Sequence, residues 1–177
     1  MELRTINAVL LVGFGTLLLA SGTQHEHPIL SEGQGKAVAA LEADYAAHKN
    51  AASLAKLAQG YVDAESSGYA LSVIESAPVV LQNTPIVQHA YARSLLDSGR
   101  AQDALAAEHR TLDMCATVLE SNDQAHACDT WLIASATRRA DIIQQLVDLG
   151  VEDAQAHPEQ SAIAYQNATR EAHIVVR

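Results

Sequence analysis

Residues 88–107 read QHAYARSLLDSGRAQDALAA. Ser98-Gly99 is helix punctuation, and on either side of it apolar residues return at helical spacing. The stretch is therefore a helix, a tight turn and a second helix. Ala92, Gly99 and Ala104 are small residues spaced through the two helices and their turn, with the large Leu95 among them. Helices packed about 8–10 Å apart leave no room for bulk at their crossing, which is why Ala and Gly stand there.

The same grammar extends in both directions. Residues 36–48 put Val38, Leu41, Tyr45 and Ala46 on one stripe, and residues 51–65 do so with Leu54, Leu57, Ala58, Tyr61 and Val62. Breaks recur at Ser66-Ser67-Gly68, Asn83-Thr84-Pro85, Ser121-Asn122-Asp123 and Ala156-His157-Pro158. Thr84 before Pro85 is an N-cap followed by proline at the first helical position. No alternating apolar-polar run is long enough for a strand. Small aliphatic residues supply most of the 49% hydrophobic fraction, and aromatics only 4%. The expected fold class is all-α, built of helices of about 11 to 19 residues joined by short turns that force antiparallel neighbours. Residues 123–150 are expected to form a further helical pair. Within 138–153, Ile142, Ile143, Leu146, Val147 and Leu149 spread wider than one stripe, as in a helix buried on two sides or carrying a docking surface.

Shifted back by 34, the key positions 92, 95, 99 and 104 become Ala58, Tyr61, Glu65 and Ala70, with Ile74 at the next large position. Three of the four keep the expected type, and Glu65 replaces the glycine. This pattern, with Arg100 after Gly99, resembles the tetratricopeptide repeat (TPR), a 34-residue helical hairpin. The resemblance covers roughly residues 51–117. A forward shift lands on His126, Asp129, Ile133 and Arg138, which do not match. The resemblance implies a short TPR-like right-handed superhelix over 36–177, with residues 36–48 and about 158–175 covering its ends. It further implies a groove lined by the first helix of each pair, binding a segment of another protein. By residue type and place, Asn50, Lys56, Gln59, Gln88 and Arg93 are the partner-binding candidates.

The amino-terminal residues 1–22, MELRTINAVLLVGFGTLLLASG, read as an export signal. Arg4 precedes an uncharged apolar run from Ile6 to Ala20, and Ala20-Ser21-Gly22 supplies small residues for cleavage. An uncleaved anchor formed by residues 6–20 is the alternative, since about 15 apolar residues approach the short end of a membrane span. Residues 23–35, with Pro28, Gly33 and Gly35, read as a flexible linker. The expected location is periplasmic or secreted, or membrane-anchored if the segment stays.

Cys115 and Cys128 are equidistant from the turn expected at Ser121-Asn122, so they face each other across a hairpin. In an exported protein a disulfide fits that placement; two buried thiols are the other possibility. After cleavage, Thr23-Gln24-His25 would open the mature chain. A free amine, two amides and His25, with His27 nearby, form a candidate Cu(II) or Ni(II) site. His48, His89, His157 and His173 are expected at the surface or at helix ends. His109, Cys115, His126 and Cys128 fit no established zinc spacing.

A formal charge of -10 disfavours nucleic acid and anionic membrane as partners. There is no nucleophile elbow, P-loop, His-Glu-x-x-His or dinucleotide fingerprint. The sequence-level expectation is a non-catalytic exported scaffold without a cofactor, whose partner is another protein or peptide of the cell envelope. A small metal-binding protein using His25 and His27, or a purely structural helical subunit, are the alternatives.

Overall fold

The computed structural model describes residues 30–121 and 128–175, and every regular element in them is an α-helix. In chain order these are α1 Glu32–Ala47, α2 Ala51–Asp63, α3 Ser67–Glu75, α4 Val79–Gln82, α5 Pro85–Asp97, α6 Ala101–Ser121, α7 Thr130–Asp148 and α8 Pro158–Val175. The all-α class is as expected, and two boundaries are not. The first helix begins inside the segment read as a linker. Ser31 Oγ accepts from the backbone N–H of Gln34, and the Gln34 side chain accepts from the backbone N–H of Ser31. This reciprocal capping box outweighs Gly33 and Gly35 in the first turn. Residues 123–150 do not form a helical pair: residues 130–148 are one helix, started by Asp129, whose carboxylate accepts from the Leu132 N–H at 2.7 Å. That helix pairs with α8, and residues 122–127 lie outside the described residues.

Three helix ends share one hydrogen-bonding pattern. Ser66 N–H donates to Tyr61 C=O (2.9 Å), Arg100 N–H to Leu95 C=O (3.0 Å) and Val151 N–H to Leu146 C=O (2.9 Å). Each is the six-to-one bond of a Schellman motif, which needs a left-handed residue just before the donor. Those residues are Glu65 (φ 56°), Gly99 (φ 73°) and Gly150 (φ 71°). The Glu65 that replaces glycine thus adopts the glycine's conformation, 34 residues before Gly99.

Packing is mostly sequential, α1 on α2, α2 on α3, α5 on α6, α6 on α7 and α7 on α8, with longer reaches of α2 along α5, α3 to α5 and α5 to α7. Leu54, Ala58, Val62, Ala70, Ile74 and Val87 fill the space among α2, α3 and α5. Ala92, Leu95, Ala101, Ala104, Ala107 and Ile143 fill that among α5, α6 and α7. Ala58, Ala70, Ala92 and Ala104 are all fully enclosed, as close helix crossings require. Of the α1 stripe only Val38 is buried, whereas Ala46 is exposed. Leu41 lies over Gly60, where a Cβ would collide with its Cδ1, so that glycine lets α1 approach α2. On α8, Ala164 and Ala168 are buried while Ile163 and Tyr165 stay exposed.

Candidate functional site

Small side chains on α2 and α5 leave a gap between these helices. Ala52 and Ala55 on one side, and Ala90 on the other, floor a cleft of about 170 Å³ whose walls are Lys56, Gln59, Ile86, His89 and Trp131. A wider hollow of about 700 Å³ shares Ala52 and Ile86 with it, and continues past Asn83 and Thr84 to Asp113, Met114 and Val118 on α6. The two form one groove across the amino-terminal halves of α2 and α5. Trp131, the single tryptophan of the chain, stands at its edge with 65% of its surface exposed. An exposed tryptophan beside a groove is a binding signal, because large apolar surface is otherwise withdrawn from water.

Cys115 on α6 and Cys128, three residues before Trp131, lie at disulfide distance, with sulfurs 2.07 Å and Cα atoms 5.4 Å apart. Both are buried against Leu132, with Ile86, Val118 and Ile133 packed around them. The Trp131 ring meets the His89 ring edge-on, centroids 6.1 Å apart.

Beneath the groove lies a buried polar network. Glu108 on α6 is fully enclosed and stands 34 residues after Ile74, where the first hairpin has an aliphatic side chain. Its Oε2 lies 2.8 Å from His89 Nδ1, and its Oε1 accepts from Arg139 NH1 at 2.9 Å. The same NH1 donates to the His89 carbonyl at 3.0 Å, and His89 Nε2 lies 3.0 Å from Ser135 Oγ. A carboxylate on Nδ1 assigns a ring hydrogen to that nitrogen, and in the neutral ring Nε2 then accepts from the Ser135 hydroxyl. The 3.2 Å approach of Arg139 NH1 to Nδ1 is then a contact between two donors. Burial lowers the Arg139 pKa from its ordinary value, and Glu108 pulls it partly back. Trp131, Ser135 and Arg139 recur every four residues, so one face of α7 addresses this network.

Ser135, His89 and Glu108 stand in the order of a nucleophile, a base and its orienting acid. Ser135, however, is the sixth residue of α7, where backbone N–H groups are spent within the helix. Through these contacts the network joins α7 to α5 and α6.

Comparison with known protein families, curated proteins and solved structures finds no match to this chain.

Among the sequence-level candidates, the structure brings Lys56 and Gln59 together in the groove wall. Arg93 lies one turn beyond His89 on α5 and pairs with Asp63 at 2.7 Å, and Asp63 also accepts from Gln59 Nε2 at 3.0 Å. Asn50 is exposed as expected, whereas Gln88 is placed differently from expectation. Asn50 is the N-cap of α2, its Oδ1 accepting from Ser53 N–H at 3.0 Å. Gln88 is buried, donating to Gln82 C=O at 2.9 Å and accepting from Arg110 Nε at 3.1 Å. His89 is a second correction, being a buried member of the network rather than a surface residue. His25 and His27 lie outside the described residues, as does the apolar segment 6–20. No helix among the described residues is long and apolar enough to cross a membrane.

Sequence reasoning did not single out Glu108, Ser135 or the groove role of Trp131. One signal was present: the 34-residue register that assigns Ile74 to a large core position assigns Glu108 to the next such position, and an acid there requires partners.

Proposed function

We propose that this chain is an exported, TPR-like helical scaffold without chemistry of its own, whose groove holds an extended segment of another envelope protein. The observation that carries this reading is the exposed Trp131 at the edge of a groove floored by alanines and walled by Lys56, Gln59 and His89. The left-handed residues at 65 and 99, 34 apart, and the packing of α2 along α5 support the TPR-like arrangement. In that arrangement α2, α5 and α7 are the inner helices. The resemblance implies that inner helices meet the ligand; α2, α5 and α7 line the cleft beside Trp131, and the wider hollow adds α6. Export rests on residues 1–22 and agrees with the Cys115–Cys128 pair, since disulfides persist in oxidising compartments.

The test is photo-crosslinking in the native cell. A photoreactive residue at Gln59, in the groove, should capture one reproducible envelope protein, and the same residue at the exposed Ala106 on α6 should not. Equal capture from both positions, or none from Gln59, would overturn the reading. Amino-terminal sequencing of the mature protein tests export, and a chain starting at Thr23 is expected.

A further inference from the structure

The charges along the groove are not uniform. Lys56 stands in the cleft beside Trp131, and it makes no ion pair with any of the described residues. Arg93 and Arg139 are already matched by Asp63 and Glu108, so Lys56 leaves this end with one uncompensated positive charge. At the other end, the exposed Asp113 of α6 lines the wider hollow, and its carboxylate likewise has no cationic partner among the described residues. Between them the shared surface is Ala52 and Ile86, both apolar.

An unpaired charge at each end of an apolar channel sets a direction. Resting on the groove reading above, we propose that the occupant is an extended peptide segment of defined polarity. It places an acidic side chain at Lys56, a large apolar side chain against Trp131 and Ile86, and a basic side chain at Asp113. The chain as a whole carries -10, so its long-range field draws basic segments and repels acidic ones. Lys56 locally reverses that preference, and binding the segment backwards would set like charge against like at both ends. Complementary pairs of this kind fix register and suppress wrong partners more than they add raw affinity.

The experiment is to pan a displayed library of random twelve-residue peptides against the full chain, and in parallel against Lys56→Glu, Asp113→Lys and Trp131→Ala. The wild type should enrich sequences in which an acidic and a basic residue flank a large apolar one in a single order. Lys56→Glu should remove or invert the acidic position at least tenfold in enrichment, and Asp113→Lys should do the same to the basic position. Enrichment lost in Trp131→Ala yet indifferent to both charge reversals would overturn the polarity and leave the groove standing. Absence of any Trp131-dependent enrichment would overturn the groove reading itself. Circular dichroism of each variant checks that it is folded, and these exposed positions are expected to leave the helical signal unchanged.

Discussion

Ile74 and Glu108 stand 34 residues apart, each on the second helix of a hairpin and each withdrawn from water. Around Ile74 the space among α2, α3 and α5 is filled by aliphatic side chains. Around Glu108 the same position of the next hairpin gathers His89, Arg139 and, through the histidine, Ser135. The backbones close alike, with the same helix-end hydrogen bonds. An apolar contact needs only volume, so the first region tolerates repacking. A buried acid needs every partner in place, so the second region fixes the orientation of α7, which carries Trp131. Structural specificity is thus concentrated next to the groove.

The comparison is tested most severely at Glu108. Glu108→Ala leaves the Arg139 guanidinium buried without its acid and should cost roughly 3–5 kcal/mol in urea unfolding. The paired change Glu108→Leu with Arg139→Leu should regain most of that loss, because buried ion pairs exchange for apolar groups at little cost. If the double variant is as unstable as the single one, the electrostatic account of this region is wrong. Severing the Cys115–Cys128 link by Cys115→Ala with Cys128→Ala should cost about 3 kcal/mol for a loop of this size. It should also loosen Trp131, which fluorescence anisotropy reads directly; an unchanged anisotropy would mean that the link does not restrain α7.

Smaller effects separate the two left-handed helix ends. Gly99→Ala puts a Cβ in the left-handed region and within 3.2 Å of Asp153 Cβ, and should lower stability by about 1–2 kcal/mol. Glu65→Gly should raise it by roughly 0.5 kcal/mol, strain relief being partly offset by a more flexible unfolded chain. Opposite signs at the two positions would support a common helix-end geometry; equal signs would argue against it. The smallest effect concerns Tyr61, whose hydroxyl bonds Glu42 of α1. Burial first, and then this carboxylate, raise its pKa well above the ordinary 10.0. A raised phenol stabilises fully below the unfolded value, and that contribution is lost as pH climbs past it. Between about pH 9 and 11 the wild type should therefore lose more thermal stability than Tyr61→Phe, and parallel slopes would deny the bond a role.

Most of the fold was legible in the sequence because helix punctuation and small-residue crossings are local signals. Ala58, Ala70, Ala92 and Ala104 announced the closest crossings, and Thr84-Pro85 announced the start of α5. Thr84 does so without the expected cap bond, as its hydroxyl turns back to Leu81 C=O at 2.8 Å. The start of α1 was misplaced because two glycines read as a linker when Ser31 and Gln34 cap them. The wide apolar spread read over 138–153 is explained by α7 serving two neighbours, Ile143 towards α5 and α6 and Leu146 towards α8. At the site, Lys56 and Gln59 came to the cleft wall as the resemblance implies, whereas Arg93 pairs with Asp63. Gln88 did not, because helix position alone does not say which side chain will strap a loop and which will face the groove. The His89–Glu108–Arg139 contacts join residues 19 to 50 apart in sequence, beyond the reach of any local pattern.

The most direct measurement uses the fact that Trp131 is the single tryptophan. With 5-fluorotryptophan incorporated there, the fluorine NMR signal should move as the partner captured from Gln59 is titrated in, and saturate with binding. A partner that binds fully while this signal stays fixed would show that the groove is not the binding surface.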